Sequence, residues 1–406
     1  MSWAVAVIGL AFLVLIHEAG HFYVARALGM RPRRFYIGFP PAVAKHTRNG
    51  IEYGIGAIPL GGYVKIPGMH RPAPSDVDAH LSQAVHESPE LIAPFERVKR
   101  RLAAGKFEPS EEIDQLESAV ARAELSPQGR RAAERGLREL RDNLSGDAYW
   151  RAPVWKRVSV IFAGPGTNLL FAIGLLTVVL MVGVRVATLT VGEVSPGSPA
   201  DIAGLREGDR IYAVNGTRVT EFDELYNAVQ DSEGSPIDLS VDRDGTRVHY
   251  NLTPTQYYGA NWAIGFRPLG KRERYGPGEA VVTSLERTWF VTKAIGAGFA
   301  RLVTGEGRDE ISSPVGITRV SSEAVESDFR IYLQLLAFIS LSLALLNLLP
   351  LLPLDGGHIA FSLIEGVRRR AVGREVYERV SIVGIALVLM LFFIGLSNDL
   401  GGGGPG

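Results

Sequence analysis

Three ionisable residues interrupt an apolar stretch near the start of the chain. They are His17, Glu18 and His21, in LVLIHEAGHFYVARALGM from Leu13 to Met30. The two histidines are four apart and so share one face of a helix. The pattern is H-E-x-x-H, which sets two imidazoles on a metal ion and a carboxylate beside the water that the ion activates. The alternative is a pair of interfacial histidines with a chance acid. Context argues against it, because a charge inside an apolar helix is costly unless it has a purpose.

Two imidazoles leave a catalytic zinc site incomplete, since it takes three protein ligands and keeps one position open. The chain has no cysteine, so any transition-metal site must use His, Asp or Glu. A third ligand must come from another apolar segment, and NLLPLLPLDGGH, Asn347 to His358, offers Asp355. Pro350 and Pro353 should break a helix there, and Gly356-Gly357 should permit a tight turn. Asp355 could instead cap a helix at the membrane surface; beside His17 and His21 it reads as the third Zn2+ ligand. His358 competes as a ligand but lies beyond the glycines, so it is assigned a supporting role. Asn347 has two readings, an interhelical hydrogen bond or a donor to a developing oxyanion. A further apolar segment holds AGPGTN, Ala163 to Asn168. There Gly164 and Pro165 should kink or thin a helix, and Asn168 should hydrogen-bond across a bundle as scaffolding for the metal helix.

These residues need membrane helices to position them. Val158 to Val184, Ile331 to Leu354 and Ser381 to Leu396 carry no charge, and neither does Ser2 to Ile16. Crossing the hydrocarbon core takes about 20 apolar residues as helix. The chain therefore reads as a polytopic α-helical membrane protein with four spans: roughly Ser2–Leu28, Val158–Arg185, Ile331–Leu349 and Val380–Leu396. A cleaved leader fits poorly, lacking a basic stretch before the apolar run and a small-residue cleavage site after it. At about 1.5 Å per residue, His17 lies roughly 21 Å along a helix that enters near Trp3. Water must then reach it through a polar cavity. Arg31, Arg33, Arg34, Lys45 and Arg48 follow the first span, and Arg368, Arg369, Arg370, Arg374 and Arg379 precede the last. The positive-inside rule then places loops 29–157 and 355–380 in the cytoplasm and both termini outside.

Lysine plus arginine equals aspartate plus glutamate, 43 each, which provides no basic field for nucleic acid. The expected domains follow in order: 1–28, the first span with HEAGH; 29–69, a cytoplasmic or re-entrant β-hairpin region; 70–157, a cytoplasmic helical insert; 158–187, the second span. An outer α+β module at 188–257 comes next. After it come 258–330 with an amphipathic helix at Ala280–Leu302, the third span at 331–357 with LDGG, a cytoplasmic loop at 358–379, the fourth span at 380–397 and a tail at 398–406. In the hairpin region, IEYGIGAIPLGGYVKI should turn at Pro59-Leu60-Gly61-Gly62. In the insert, Pro109-Ser110 and Ser126-Pro127 look like helix starts. Ile113, Leu116 and Val120 make one apolar stripe, and Leu137, Leu140 and Leu144 another, which predicts a helical hairpin. In the outer module, Gly204, Gly208-Asp209 and Asn215-Gly216 are turn signals between short apolar runs.

The outer module resembles a PDZ domain of the bacterial protease type through its SPA…AGL…GD…I…VNG pattern. Most of the chain resembles the site-2 proteases, in the bacterial branch that carries PDZ domains. HEAGH at 17–21, AGPGTN at 163–168, NLLPLLPLDGG at 347–357 and GGYVK at 61–65 carry the likeness, in this order and membrane placement. The resemblance implies an intramembrane zinc metalloprotease. His17, His21 and Asp355 would bind zinc and Glu18 would be the catalytic base. Gly61, Gly62, Tyr63, Val64 and Lys65 would belong to a re-entrant hairpin that holds substrate as an extended strand. It also implies a bacterial cytoplasmic membrane location. Substrates would be single-pass membrane proteins such as anti-sigma factors, cut within or near the membrane after another protease trims them; lipid would be a partner, nucleic acid would not. Two departures stand out: one PDZ-like module where some close relatives have two, and the long insert at 70–149. Two other readings compete. A membrane-anchored protease working in water is disfavoured because both ligand sources are membrane segments. A non-catalytic scaffold is disfavoured because it would need no Glu18.

Overall fold

The computed structural model describes residues 1–108, 111–257, 261–305, 307–308 and 311–401. The described residues form two compact units, 1–174 with 287–401, and 175–286.

The chain opens with helix α1, Ser2–Ala27, followed by strands β1, Arg34–Arg48, and β2, Ile51–Lys65. The hairpin turns at Asn49-Gly50, both at positive φ, and not at residues 59–62, which lie within β2. Asn-Gly is the dipeptide that best fits a two-residue hairpin loop, because both positions need left-handed backbone. β2 then bends, so that Arg34–Ile37 pairs both with Glu52–Ile55 and with Gly62–Lys65. Among its described residues the insert holds four α-helices, more than a helical hairpin: α2 (Pro74–Glu87), α3 (Ile92–Ala103), α4 (Glu111–Arg122) and α5 (Pro127–Leu144). They close around a core that includes Leu81, Val98, Leu116 and Leu137. Ser126 caps α5, accepting from the Gly129 amide at 3.0 Å, with Pro127 in the first turn. The expected start at Pro109-Ser110 lies outside the described residues.

Helix α6, Val154–Val182, leads into strand β3, Val184–Val194. There follow α7 (Pro199–Ala203), β4 (Arg210–Val214), β5 (Thr217–Arg218), α8 (Phe222–Asp231), β6 (Ile237–Arg243) and β7 (Thr246–Leu252). Next come β8 (Thr255–Tyr257), β9 (Asn261–Ala263) and β10 (Phe266–Glu273). The main sheet runs β10-β3-β4-β6-β7, with β5 on β4. The β-rich module thus starts before residue 188 and recruits a strand beyond 257. β10 escaped the pattern because it is polar and contains Pro268, features that suit an edge strand. Gly204, Gly208, Asn215 and Gly216 all have positive φ, as their turns require.

Helices α9 (Pro277–Thr304), α10 (Pro314–Ser327), α11 (Phe329–Asn347), α12 (Asp355–Arg368) and α13 (Arg374–Leu400) complete the chain. Among the described residues, four helices are long and apolar enough to cross a membrane: α1, α6, α11 and α13. Within the first unit, polar atoms tie three of these together. Thr167 Oγ1 donates to the Ile16 carbonyl at 3.2 Å, Ser340 Oγ to the Asn168 carbonyl at 2.9 Å, and Tyr332 Oη to the Val5 carbonyl at 3.0 Å. Lipid gives helices no hydrophobic reason to associate, so such bonds and close packing hold a membrane bundle. Gly20 packs α1 onto the backbone of α6, where a side chain would strike the Ala163 carbonyl. Asp399, near the end of α13, caps α10 by accepting from the Ser313 amide at 2.7 Å and the Gly316 amide at 3.2 Å.

Candidate metal centre

His17 and His21 lie on one face of α1, both buried. Asp355 comes from the first turn of α12, after the break that follows α11. The LDGG segment thus opens a new helix and does not close the third span. Gly356 and Gly357 sit in the first turn of α12 and have no positive φ. A Cβ on Gly356 would strike the Leu348 and Leu349 carbonyls, and one on Gly357 the Leu351–Leu352 backbone. These glycines permit close backbone approach, which brings the start of α12 against the Leu348–Leu352 segment.

Three atoms converge. Asp355 Oδ2 lies 3.1 Å from His17 Nε2 and 3.3 Å from His21 Nε2, and the two Nε2 atoms are 3.2 Å apart. Tautomers follow from the neighbours. His21 Nδ1 lies 2.8 Å from the Val160 carbonyl, which only accepts, so Nδ1 carries the proton and Nε2 presents its lone pair. Asp355 Oδ2 is buried and has no hydrogen-bond donor among the described residues. Lone pairs facing each other at this distance repel unless a cation sits among them. An edge of a tetrahedron with zinc bonds of about 2.0 Å measures roughly 3.3 Å, so the donor triangle fits one face of such a site. Among the described residues this is the one set of three or more His, Asp or Glu groups that could hold a metal ion.

The sequence marked several surrounding residues. Gly164 on α6 leaves the room the imidazoles occupy. A Cβ there would strike His21 Nε2 and lie 2.6 Å from His21 Cε1 and 2.8 Å from His17 Nε2. Pro165 has no amide to offer the carbonyl four residues back, which loosens the turn next to the one where Val160 receives His21. Asn168 is fully buried, with its amide nitrogen 3.5 Å from His17 Nδ1 and its Oδ1 without a partner among the described residues. Turning that amide over resolves both facts, since Oδ1 then accepts from His17 Nδ1–H. Glu18 lies against β2, with its Cγ 3.0 Å from where a Cβ on Gly62 would be. Gly62, Tyr63, Val64 and Lys65 pair on one side with Arg34–Ile37. Tyr63 stacks on Tyr36 with ring centres 5.1 Å apart, while Gly61, at positive φ, packs against Phe39.

Two marked residues stand apart from the donor triangle. His358, one turn along α12 from Asp355, packs near His70 and Tyr377, with ring centres 6.3 and 6.4 Å away. Asn347 donates one of its two amide protons to the Leu343 carbonyl of its own helix at 3.0 Å. Missed altogether was Val160, since nothing in a sequence distinguishes one backbone carbonyl from another.

The model of peptidase family M50 matches residues 5–391. The chain belongs to peptidase family M50. A Brucella suis protein that bears a provisional zinc metalloprotease name is 30% identical, over 96% of this chain and 93% of its own. The zinc metalloprotease RasP of Geobacillus kaustophilus is 29% identical, and the regulator of sigma-W protease RasP of Bacillus subtilis 28%; each comparison spans 96% of this chain and 95% of the relative. As a member of this family the chain is a membrane-embedded zinc metalloprotease, and Zn2+ is its cofactor.

Proposed function

We propose that this protein cuts peptide bonds within or near the transmembrane segments of single-pass membrane proteins, with anti-sigma factors as the expected class. The observation that carries this reading is the donor triangle of His17, His21 and Asp355, built from α1 and the segment after α11. These three residues would hold the zinc. When bound, zinc supplies Lewis acidity, polarising a carbonyl and making water nucleophilic near neutral pH.

The chain's own residues do the rest. Asn168 and the Val160 carbonyl fix the imidazole tautomers and ring orientations. Glu18, adjacent to His17 in sequence, takes the proton of the attacking water and passes it to the leaving amine. Asn347 would donate to the developing oxyanion with the amide proton that the Leu343 carbonyl does not take. A peptide bond inside a membrane helix is shielded by its own hydrogen bonds, so the substrate must unwind. Pairing with the free side of Gly62–Lys65 replaces the helical bonds it loses.

The β-rich module is read as the PDZ domain, and the membrane is the bacterial cytoplasmic one with both termini outside. Trimming by another protease would precede cleavage, as the family resemblance implies. The module would then exclude untrimmed substrates. A single-cysteine scan tests the orientation without native thiols to interfere. An impermeant thiol reagent on intact cells should label a cysteine at Leu400, which is exposed, and spare one at Arg369; the reverse would invert the topology. Asp399 is unsuitable, because it caps α10.

The test of function is cleavage of one model single-pass substrate by wild type and Asp355→Ala, with zinc measured in both. Equal zinc contents would remove Asp355 from the site.

A further inference from the structure

The insert and the hairpin meet at a clamp. Arg33, just before β1, donates from Nε to Asp142 at 2.7 Å and from both Nη atoms to Asp147 at 3.0 and 3.1 Å. Nη1 also reaches the Arg31 carbonyl at 2.8 Å. A guanidinium held by two carboxylates, one of them bidentate, is fixed in direction as well as place. Lys65, the last residue of β2, donates to Glu139 at 2.9 Å. The Gly68 amide donates to Asn143 Oδ1 at 3.0 Å, and the Tyr149 and Trp150 amides bond the Pro67 and Gly68 carbonyls. Glu139, Asp142 and Asn143 fall three and four apart on α5, hence on one face. One helix face and the loop after it thus grip the start of β1 and the end of β2.

The grip lies close to the chemistry. The Arg33 amide bonds the Lys65 carbonyl at 2.7 Å, and Gly62, three residues earlier on β2, is where an added Cβ would lie 3.0 Å from Glu18 Cγ. A continuous path therefore runs from Glu139 through Lys65 and along β2 to Gly62, which packs against Glu18. A lone exposed ion pair would contribute little. Here a partly buried network is combined with backbone bonds.

We propose that the helical insert is a positioning device for proteolysis, with Arg33, Glu139, Asp142 and Asp147 as positioning residues that set β2 against Glu18. The proposal rests on the reading of Glu18 as base and of Gly62–Lys65 as the substrate-pairing strand. A solvated appendage would need no such network at the two ends of that hairpin.

The test uses the full chain in liposomes with one model substrate. Asp142→Asn with Asp147→Asn, together with Lys65→Cys and Glu139→Cys, opens the clamp and installs two thiols in a chain that has none. A short bifunctional thiol reagent then closes it covalently. Small misplacement of a reacting group costs up to about a hundredfold, so kcat should fall roughly ten- to a hundredfold with zinc content and KM little changed. Cross-linking should return most of the lost rate. An unchanged rate in the open clamp would overturn the proposal. So would a loss that the cross-linker does not restore, or one accompanied by loss of zinc, since either marks a merely structural role. Tyr63→Pro serves as control by removing an amide from β2. If it leaves the rate unchanged, the hairpin reading has failed; if it abolishes cleavage while the open clamp does not, only the clamp is wrong.

Discussion

Helices α1 and α5 lie in the same unit, yet they are built on opposite rules. In α1 the polar groups His17 and His21 are buried, while Trp3, Ile8, Phe12 and Tyr23 are exposed. In α5 the apolar Ala133, Leu137, Leu140 and Leu144 are buried, and the charges point outward. Solvent explains the inversion. Water drives apolar stripes together around the insert's core, whereas lipid accepts apolar surface and makes every polar atom expensive. In the insert, then, function is hard to see and packing easy. In α1 each polar residue is a statement about function.

The first prediction presses this comparison hardest. Glu18→Gln keeps the shape of the side chain and removes the proton acceptor. Proteolysis should drop by about two to four orders of magnitude with zinc retained. The same exchange at Glu134 in α5, half-exposed and only 4.0 Å from Arg138, should leave the rate unchanged. Comparable losses at the two positions would erase the distinction between the helices.

Adding one methyl group sharpens it. Gly164→Ala would push a Cβ among the imidazoles of His17 and His21, so zinc and activity should be lost together. Gly136→Ala in α5 meets His80 instead. Overpacking there should cost about 1–3 kcal/mol of local stability with full zinc occupancy. Metal analysis of both variants decides the matter, and full zinc in Gly164→Ala would show that α6 can yield.

These rules also explain what the sequence disclosed. The apolar helices were legible because long charge-free runs have few other uses. HEAGH and Asp355 were legible because they violate those runs. The hairpin's true turn at Asn49-Gly50 was in plain view but lost to the proline and glycines at 59–62, which β2 uses for its bend. Helices α2 and α3 were obscured by Pro72, Pro74, Pro89 and Pro94, although a proline in a first turn starts a helix as readily as it ends one. Gly356-Gly357 was read as a turn because glycine signals both backbone freedom and missing bulk; only the neighbouring carbonyls show which applies. Asn168 was expected to bond across the bundle, but its partner, a ring nitrogen of His17, could not be named. The clamp was invisible, because Arg33 and Asp142 are far apart in sequence and ordinary in type.

Truncation separates the two solvents at a smaller scale. Leu116→Ala empties part of the insert's core, where Leu116 is almost wholly buried, and should cost about 2–5 kcal/mol. Exposed Leu170 on α6 faces the place of lipid. Its replacement by alanine should cost far less, because lipid fills the vacated volume. Hydrogen exchange of the insert and of α6 reads both. A large loss at Leu170 would mean that a protein partner, not lipid, covers that face.

The smallest expected effect is acid sensitivity, which the insert should show through the clamp. Burial raises the Asp147 carboxyl, but the hydrogen bonds from Arg33 outweigh it, and the net shift is downward from the ordinary aspartate range. The sign follows directly. A carboxylate with a depressed folded pKa contributes stability that is fully present above its unfolded value of about 3.9 and lost as pH falls through the folded value. Glu139 is shifted the same way: burial opposes, and the Lys65 bond prevails. Between pH 7 and pH 5 the contact between α5 and the hairpin should therefore be constant. Below about pH 4 the amides of Gly68, Tyr149 and Trp150, which bind across that contact, should begin to exchange faster. Asp147→Asn should remove part of this acid response and raise exchange at neutral pH instead. Protection that weakens between pH 7 and pH 5, where neither carboxyl titrates, would show that neither the Arg33 fork nor the Lys65–Glu139 pair sets the acid response.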